Sequence, residues 1–349
     1  MTLSINKRLI GSNFPPLIIA ELSGNHNGSL DRALKIVEAA AKTGAHAIKL
    51  QTYRADTMTL DLKKGEFFIS DEKSPWKGQS LYDLYKIAHT PWEWHQAIFD
   101  CAKKHGLICF STPFDETAVD FLEKLGVPAY KIASFENTDI PLIRRAAATG
   151  KPLIISTGMV TQEELDESVD AARKAGCKEL ILLKYTSTYP ATPENSNLLG
   201  IPHLRERYGC EVGLSDHTLG IGVAVASVAL GATVIERHFT LKRSDGGVDS
   251  AFSMEPSEMT ELVTETKRAW QSLGKVFVGP TESEKSSITF RRSLYIVEDM
   301  KKGDILTKEN VRAIRPGMGL PPKHLDQILG KKIKCSVKKG TALAWNMLC

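Results

Sequence analysis

The chain is expected to fold as a (β/α)₈ TIM barrel followed by a small basic β module. Three observations carry that expectation. From Leu17 to about Leu273, short apolar runs alternate with helix-length amphipathic segments, the pattern of repeated βα units around a parallel sheet. The C-terminal ends of those runs are repeatedly polar, as they are where barrel strands converge on one mouth. Residues 286–349 carry thirteen Lys/Arg against five Asp/Glu, so a +8 tail offsets a −4 remainder to leave the net charge of +4. Such a shift marks a separate module.

Eight strand candidates follow in order: Leu17 to Glu21, His46 to Gln51, Leu107 to Ser111, Ala129 to Ile132, Leu153 to Ser156, Leu180 to Lys184, Glu211 to Ser215 and Thr233 to His238. A doubly wound open sheet is the alternative, but it would spread their polar ends along an edge. Two connections are too long for simple turns and read as lids or specificity elements: Thr52 to Pro91, with Phe67, Phe68, Trp76, Tyr82 and Tyr85, and Ser187 to Cys210, with three prolines. The uncharged stretch Gly220 to Ile235 is too short for a typical membrane span and reads as a buried helix followed by a buried strand. The tail shows strand-like segments at Ser293 to Val297 and Ile333 to Val337 between Lys-Gly turns. The expected division is 1–280 barrel, 281–289 linker and 290–349 module.

Composition narrows the function classes. At 42% hydrophobic and 25% charged, 349 residues can bury a sizeable core and are not predominantly disordered. The small net charge argues against nucleic acid as a partner, and the tail's Lys pairs read as a solvated surface. Six scattered cysteines, without the spacing of a disulfide framework or zinc ribbon, read as reduced thiols. With no signal-peptide core either, a cytoplasmic enzyme away from membranes is expected.

The chemistry concentrates at the strand ends. Ser215 and His217 share one face of the seventh strand, and Glu236 and His238 one face of the eighth, because side chains alternate along a strand. Adjacent strands can thus bring two imidazoles together as an incomplete metal site with open positions. Lys49 and Lys131, with hydroxyls from Thr112, Ser134, Ser156 and Ser215, form a cationic, donor-rich rim suited to a small phosphorylated carboxylate. Glu21 and Glu136 are candidate proton-transfer groups, since burial beside lysines and a metal tunes a carboxyl pKa. Ser215, Asp216 and His217 are consecutive and cannot face one another as a hydrolytic triad. Gly220-Ile-Gly222 lacks the third glycine of a dinucleotide fingerprint. A Schiff-base aldolase using Lys49, Lys131 or Lys184 stays open.

These segments together resemble the sialic acid synthases over almost the whole chain. The resemblance rests on Ile19-Ala-Glu21, Asn25-His26, Lys49-Leu-Gln-Thr52, Ser111-Thr-Pro-Phe114, Tyr130-Lys-Ile-Ala-Ser134, Ser156-Thr-Gly-Met159, Gly213 to His217, Glu236 to Phe239 and Arg315-Pro-Gly317. Within the family, Ala20-Glu-Leu-Ser23, Ser134-Phe-Glu136, Thr186-Ser-Thr-Tyr-Pro190, Arg292-Ser-Leu-Tyr295 and Gly319-Leu-Pro-Pro-Lys323 are most similar to the branch that makes pseudaminic acid.

The resemblance implies an antifreeze-like (SAF, β-clip) C-terminal domain and a transferase that condenses phosphoenolpyruvate with an acetamido sugar, releasing phosphate. For this branch the sugar would be 2,4-diacetamido-2,4,6-trideoxy-L-altrose; N-acetylneuraminate or legionaminate synthesis is the alternative. It further implies a divalent ion (Mn²⁺, Mg²⁺ or Co²⁺) on His217 and His238. Lys49, Thr112, Lys131, Ser134, Ser156, Ser187 and Ser215 would lie at phosphoenolpyruvate, and Glu21, Gln51, Tyr189 and Asp249 at the sugar. Glu136 and Glu21, with the two histidines, would be the catalytic set. Arg315 would reach an acetamido group across a domain-swapped homodimer. At Ser187 the chain departs from the neuraminate synthases, which typically carry Asn there. A binding or ice-active module on an inert barrel is the reading from another class; the strand-end lysines, carboxylates and paired histidines argue against it.

Overall fold

The computed structural model describes residues 2–349 apart from Lys73 and Pro75. The chain divides into two compact units, Met1–Gly274 and Lys275–Cys349. In the first, an antiparallel hairpin of β1 (Leu3–Ile5) and β2 (Arg8–Ile10) precedes the barrel. Its two-residue turn places both Asn6 and Lys7 at positive φ, as a type I′ hairpin loop requires. Three-residue strands are too short to show a period, so nothing before Leu17 reads as a strand from sequence.

Eight parallel strands then close into a barrel: β3 (Leu17–Glu21), β4 (Ala47–Thr52), β5 (Ile108–Pro113), β6 (Tyr130–Ile132), β7 (Leu153–Ser156), β8 (Leu180–Tyr185), β9 (Glu211–Ser215) and β10 (Val234–His238). β10 pairs with both β9 and β3, which closes the barrel and removes the open-sheet alternative. The eight expected strands are all present, three with the expected bounds and the others with ends shifted by one or two residues. Nearly every strand residue is buried because helices cover the outside and side chains fill the inside.

The covering helices are bounded by their own sequence. Ser29 accepts a hydrogen bond from the Arg32 backbone N–H at 3.2 Å to start Leu30–Lys42, and Asp115 caps Glu116–Leu125, which ends on Gly126 in the left-handed region. Thr161 and Glu164 form a reciprocal capping box for Gln162–Lys174. The uncharged stretch resolves into the helix Gly222–Ala229 and β10, as expected. No helix among the described residues is long and apolar enough to cross a membrane.

The inside of the barrel is layered along the strand axis. At the N-terminal end Leu17, Ile19, Ala47, Ile108, Phe110, Ala129, Ile154, Ile181, Leu183 and Val234 pack together, plugged by Leu3, Ile5 and Ile10 of the hairpin. Continuing two residues along the same face, Ile19 gives way to Glu21, Ala47 to Lys49, Phe110 to Thr112, Ala129 to Lys131, Ile154 to Ser156 and Val234 to Glu236. Alternation thus converts an apolar floor into a polar mouth within one pleat.

The second unit is built on an antiparallel pair, β11 (Ser293–Ile296) and β12 (Val311–Ile314), around Leu294, Ile296, Met300, Leu306, Val311, Leu320, Ile328, Ile333, Leu343 and Leu348. The expected strand at Ile333 to Val337 is not one: Ile333 and Val337 each make an isolated bridge, to Leu348 and Met300. Its apolar residues serve the core from an irregular path. The partner of β11 is Val311–Ile314 instead, whose two arginine-flanked, partly exposed residues hid the period. Residues 282–290, which take in all but the first residue of the expected linker 281–289, wind into a 3₁₀ helix.

Candidate active site

The mouth of the barrel holds a cavity of about 390 Å³. Of the residues singled out from sequence, Glu21, Lys49, Gln51, Lys131, Ser134, Glu136, Ser156, Tyr189, Ser215, His217, Glu236, His238 and Asp249 line it. Thr112 stands behind this wall, accepting a hydrogen bond from Lys49 Nζ at 3.0 Å. Ser187 is absent from the lining, yet its Oγ is buried without a hydrogen-bond partner, and it packs with Ser134 and Tyr185 around Gly158. Gly158 has no room for a Cβ there, while its N–H donates to Ser134 Oγ at 3.1 Å. Arg315 belongs to the second unit, where it is exposed and precedes Pro316.

Lys184 and Ser111 turn away from the cavity. The Lys184 stem lies against Gly200, and its Nζ donates to the Tyr185 carbonyl at 3.2 Å. Ser111 joins Thr52 and His95 in a buried network on the helix side, at 2.6 and 2.8 Å. Both face outward because they sit one residue out of phase with Leu183, Tyr185, Phe110 and Thr112. Lys184 therefore drops out as a Schiff-base candidate.

The cavity is electrostatically two-sided. On its floor Lys49 is ion-paired with Glu21 and lies 3.8 Å from Glu236; Lys131 lies 3.8 Å from Glu236 and donates to Ser156 Oγ at 2.6 Å. Ser215 Oγ donates to Glu236 at 3.1 Å. Burial pushes the carboxyl of Glu21 up to about 7 against the pull of Lys49, and that of Glu136 up to about 7 against Lys131. Burial also brings Lys131 down to about 8, the opposing carboxylates notwithstanding. Glu236 is different: burial opposes its charge, but Lys131 and Lys49 hold it below the ordinary range.

The imidazoles of His217 and His238 stand with ring centroids 5.0 Å apart. Each Nδ1 is buried without a hydrogen-bond partner. Burial lowers both pKa values, that of His238 to about 4, so both rings are neutral near pH 7 and keep a free lone pair. Two neutral imidazoles beside carboxylates suit a divalent ion. Among the described residues, one group of three potential ligands lies within 4.8 Å of one another: Glu38, Cys101 and His105, on the outer helices. It shares no residue with the mouth.

The opposite wall was not foreseen residue by residue. Met58, Ile69, Trp76, Leu84 and Tyr85, all from the connection after β4, join Tyr53 and Phe114 in an apolar face. Trp76 Nε1 is committed to the Val248 carbonyl at 2.9 Å, which leaves the ring to the cavity and to Tyr189, 6.3 Å away. Of the five loop aromatics, Trp76 and Tyr85 reach the cavity; Phe67, Phe68 and Tyr82 do not line it. Tyr185 could have been found by continuing the inward alternation from Ile181 and Leu183. The lid residues carried no such signal, since a loop has no period.

Comparison with known proteins agrees with this architecture. The sequence matches the NeuB family over residues 36–277 and the SAF domain over residues 291–348. It is 45% identical over 326 residues to the pseudaminic acid synthase of Campylobacter jejuni, covering 93% of this chain and 94% of that protein. It is 37% identical to the N,N'-diacetyllegionaminic acid synthase of Legionella pneumophila, covering 96% and 95%. The solved N-acetylneuraminic acid synthetase of Leptospira borgpetersenii superposes with a TM-score of 0.74 at 33% identity, over 82% of this chain and 95% of that one. The chain thus belongs to the NeuB family, with a SAF domain following the barrel in sequence, and is an enzyme of the transferase class.

Proposed function

We propose that the chain is a pseudaminic acid synthase, condensing phosphoenolpyruvate with 2,4-diacetamido-2,4,6-trideoxy-L-altrose and releasing phosphate. The observation that carries the reaction is the floor of the mouth, where Lys49, Lys131, Ser134, Ser156 and Ser215 converge beside His217 and His238. The branch rests on the 45% identity to the Campylobacter jejuni pseudaminic acid synthase. The apolar wall of Ile69, Trp76 and Leu84 supports it, since a deoxygenated sugar carbon has no hydroxyl to satisfy.

In this reading Lys49 and Lys131, with Thr112, Ser134, Ser156, Ser187 and Ser215, hold the phosphate and carboxylate of phosphoenolpyruvate. Glu21, Gln51, Tyr189 and Asp249 orient the open-chain sugar. Carbon 3 of phosphoenolpyruvate attacks the aldehyde carbon, the aldehyde oxygen takes a proton, water adds at carbon 2, and the tetrahedral adduct expels phosphate to leave the 2-keto acid. Glu136, with a carboxyl titrating near 7, exchanges a proton with the intermediate. His217 and His238 would hold a divalent ion, which when bound polarises an aldehyde oxygen. Residues 1–280 act as catalytic domain, 281–289 as connector and 290–349 as the module whose Arg315 reaches an acetamido group in a domain-swapped homodimer.

The test is phosphate release from phosphoenolpyruvate with the altrose derivative, N-acetylmannosamine and the legionaminate-pathway sugar in parallel, each with and without chelator. Metal-dependent release with the altrose derivative alone is the expected result. Release with another sugar alone overturns the branch, and activity that survives chelation overturns the metal.

A further inference from the structure

A second cleft, of about 420 Å³, opens at the closed end of the barrel, where β3 and β4 begin. It is lined by Arg8 from β2, His46 just before β4, Lys267 from the helix Pro256–Leu273, and an apolar surface that includes Phe14 and Pro15. No acidic side chain is among its lining residues. Neither Arg8 nor Lys267 has an ion pair among the described residues, and Arg8 Nε is buried without a hydrogen-bond partner. The half-buried Arg8 and the exposed Lys267 thus give the cleft a positive potential with no carboxylate to answer it, which attracts an anion.

The histidine adds a donor and no further charge. The Ile18 backbone N–H donates to His46 Nδ1 at 2.9 Å, so the ring proton of the neutral imidazole sits on Nε2. Burial, with Arg8 and Lys267 nearby, lowers its pKa to about 4. Two fixed positive charges and one neutral donor match a single dianionic phosphoryl group; a carboxylate would leave one cation unanswered. Phe14 and Pro15 beside these donors favour a phosphate attached to a flat apolar body over a free inorganic ion.

We propose that this cleft binds a small organic phosphate, with its phosphoryl oxygens on Arg8, Lys267 and His46 Nε2 and its ring on Phe14 and Pro15. It has no carboxylate, the Thr266 hydroxyl is committed to the Leu262 carbonyl and His46 Nδ1 to the Ile18 N–H, so its role is binding and not chemistry. The site is independent of the reaction proposed for the mouth.

Isothermal titration of the full chain with adenosine 5′-monophosphate, and in a parallel arm with inorganic phosphate, tests the assignment. Both arms are repeated on Lys131→Met, in which the mouth has lost one of its two buried cations, so that binding common to both proteins belongs to the cleft. Saturable one-to-one binding of the nucleotide is expected, weakened roughly tenfold or more in R8Q/K267Q by loss of charge-assisted hydrogen bonds. K267Q alone, changed at an exposed helix position where folding is not at stake, should weaken it in the same direction. Equal affinity in wild type, K267Q and R8Q/K267Q overturns the site even if the mouth proves to bind no phosphoenolpyruvate. The absence of saturable binding up to about 10 mM, a Kd weaker than any specific site needs, overturns it as well. Inorganic phosphate binding as tightly as the nucleotide overturns the ring contact.

Discussion

The two ends of the barrel interior are made by the same strands and obey opposite rules. At the floor Ile19, Phe110 and Ile154 are fully buried apolar side chains whose only task is to fill space. Two residues further on, Glu21, Thr112 and Ser156 are equally buried, at 1% exposure each, yet polar. Stability is therefore generated at one end and spent at the other, where carboxyls are driven up to about 7 and a lysine down to about 8 by burial. A parallel barrel can carry such strain because the floor is covalently continuous with the mouth but separated from it by a full pleat.

Five substitutions and one titration would break or sharpen that contrast. Removing an imidazole should have the largest effect: His217→Ala, or chelation of the wild type, should reduce phosphate release by on the order of 10³-fold, about 4 kcal/mol. Addition of a divalent ion should rescue the chelated wild type and not the variant. Phe110→Ala, at the floor, should cost about 3–5 kcal/mol of stability in denaturant unfolding while the molecules that remain folded keep their KM. Lys131→Met should do the converse. Glu236 keeps Lys49 at 3.8 Å, so the stability lost should be smaller than at Phe110, while kcat/KM falls by about 10²–10³-fold. A Lys131→Met protein that unfolds with its activity per folded molecule intact would erase the distinction between the two ends.

Glu136→Gln sharpens the picture through pH. Its folded pKa of about 7 exceeds the ordinary carboxyl value, so between roughly pH 4.5 and 7 the folded state binds more protons than the unfolded one. Stability should fall as pH rises through that window, and the Gln variant should show a shallower fall. The same substitution should remove one inflection near 7 from the log(kcat/KM) profile and lower the plateau by about 10²-fold. The smallest effect is expected at Ile154→Val, about 0.5–1.5 kcal/mol in unfolding with unchanged kinetics. An activity loss there would mean that floor packing positions Ser156, two residues along the same strand.

Much of this was legible in the chain alone. Eight strands could be placed within one or two residues because parallel strands covered on both faces read as uninterrupted apolar runs, and their C-terminal residues announce the mouth. The shared faces of Ser215 with His217 and of Glu236 with His238 followed from the two-residue period, and Lys49 and Lys131 from their place at strand ends. The failures are equally physical. The hairpin Leu3–Ile10 and the strand Val311–Ile314 are too short or too exposed to show a period, and Ile333 to Val337 is apolar because it is buried, not because it is extended. Lys184 was placed among mouth candidates although it is one residue out of phase.

Local rules, then, are enough for the barrel, the order of its strands and the residue types at its mouth, since periodicity and capping depend on neighbours in the chain. Which side chains meet is a long-range matter. The 5.0 Å approach of His217 and His238, the pairing of Lys49 with Glu21, the capture of Trp76 by Val248 and the cationic cleft of Arg8, His46 and Lys267 join residues from about 20 to over 250 positions apart. The first two arise from the pairing of β9 with β10 and of β3 with β4, and the others from loops, hairpin and helix packed on the barrel, none of which a window of sequence contains.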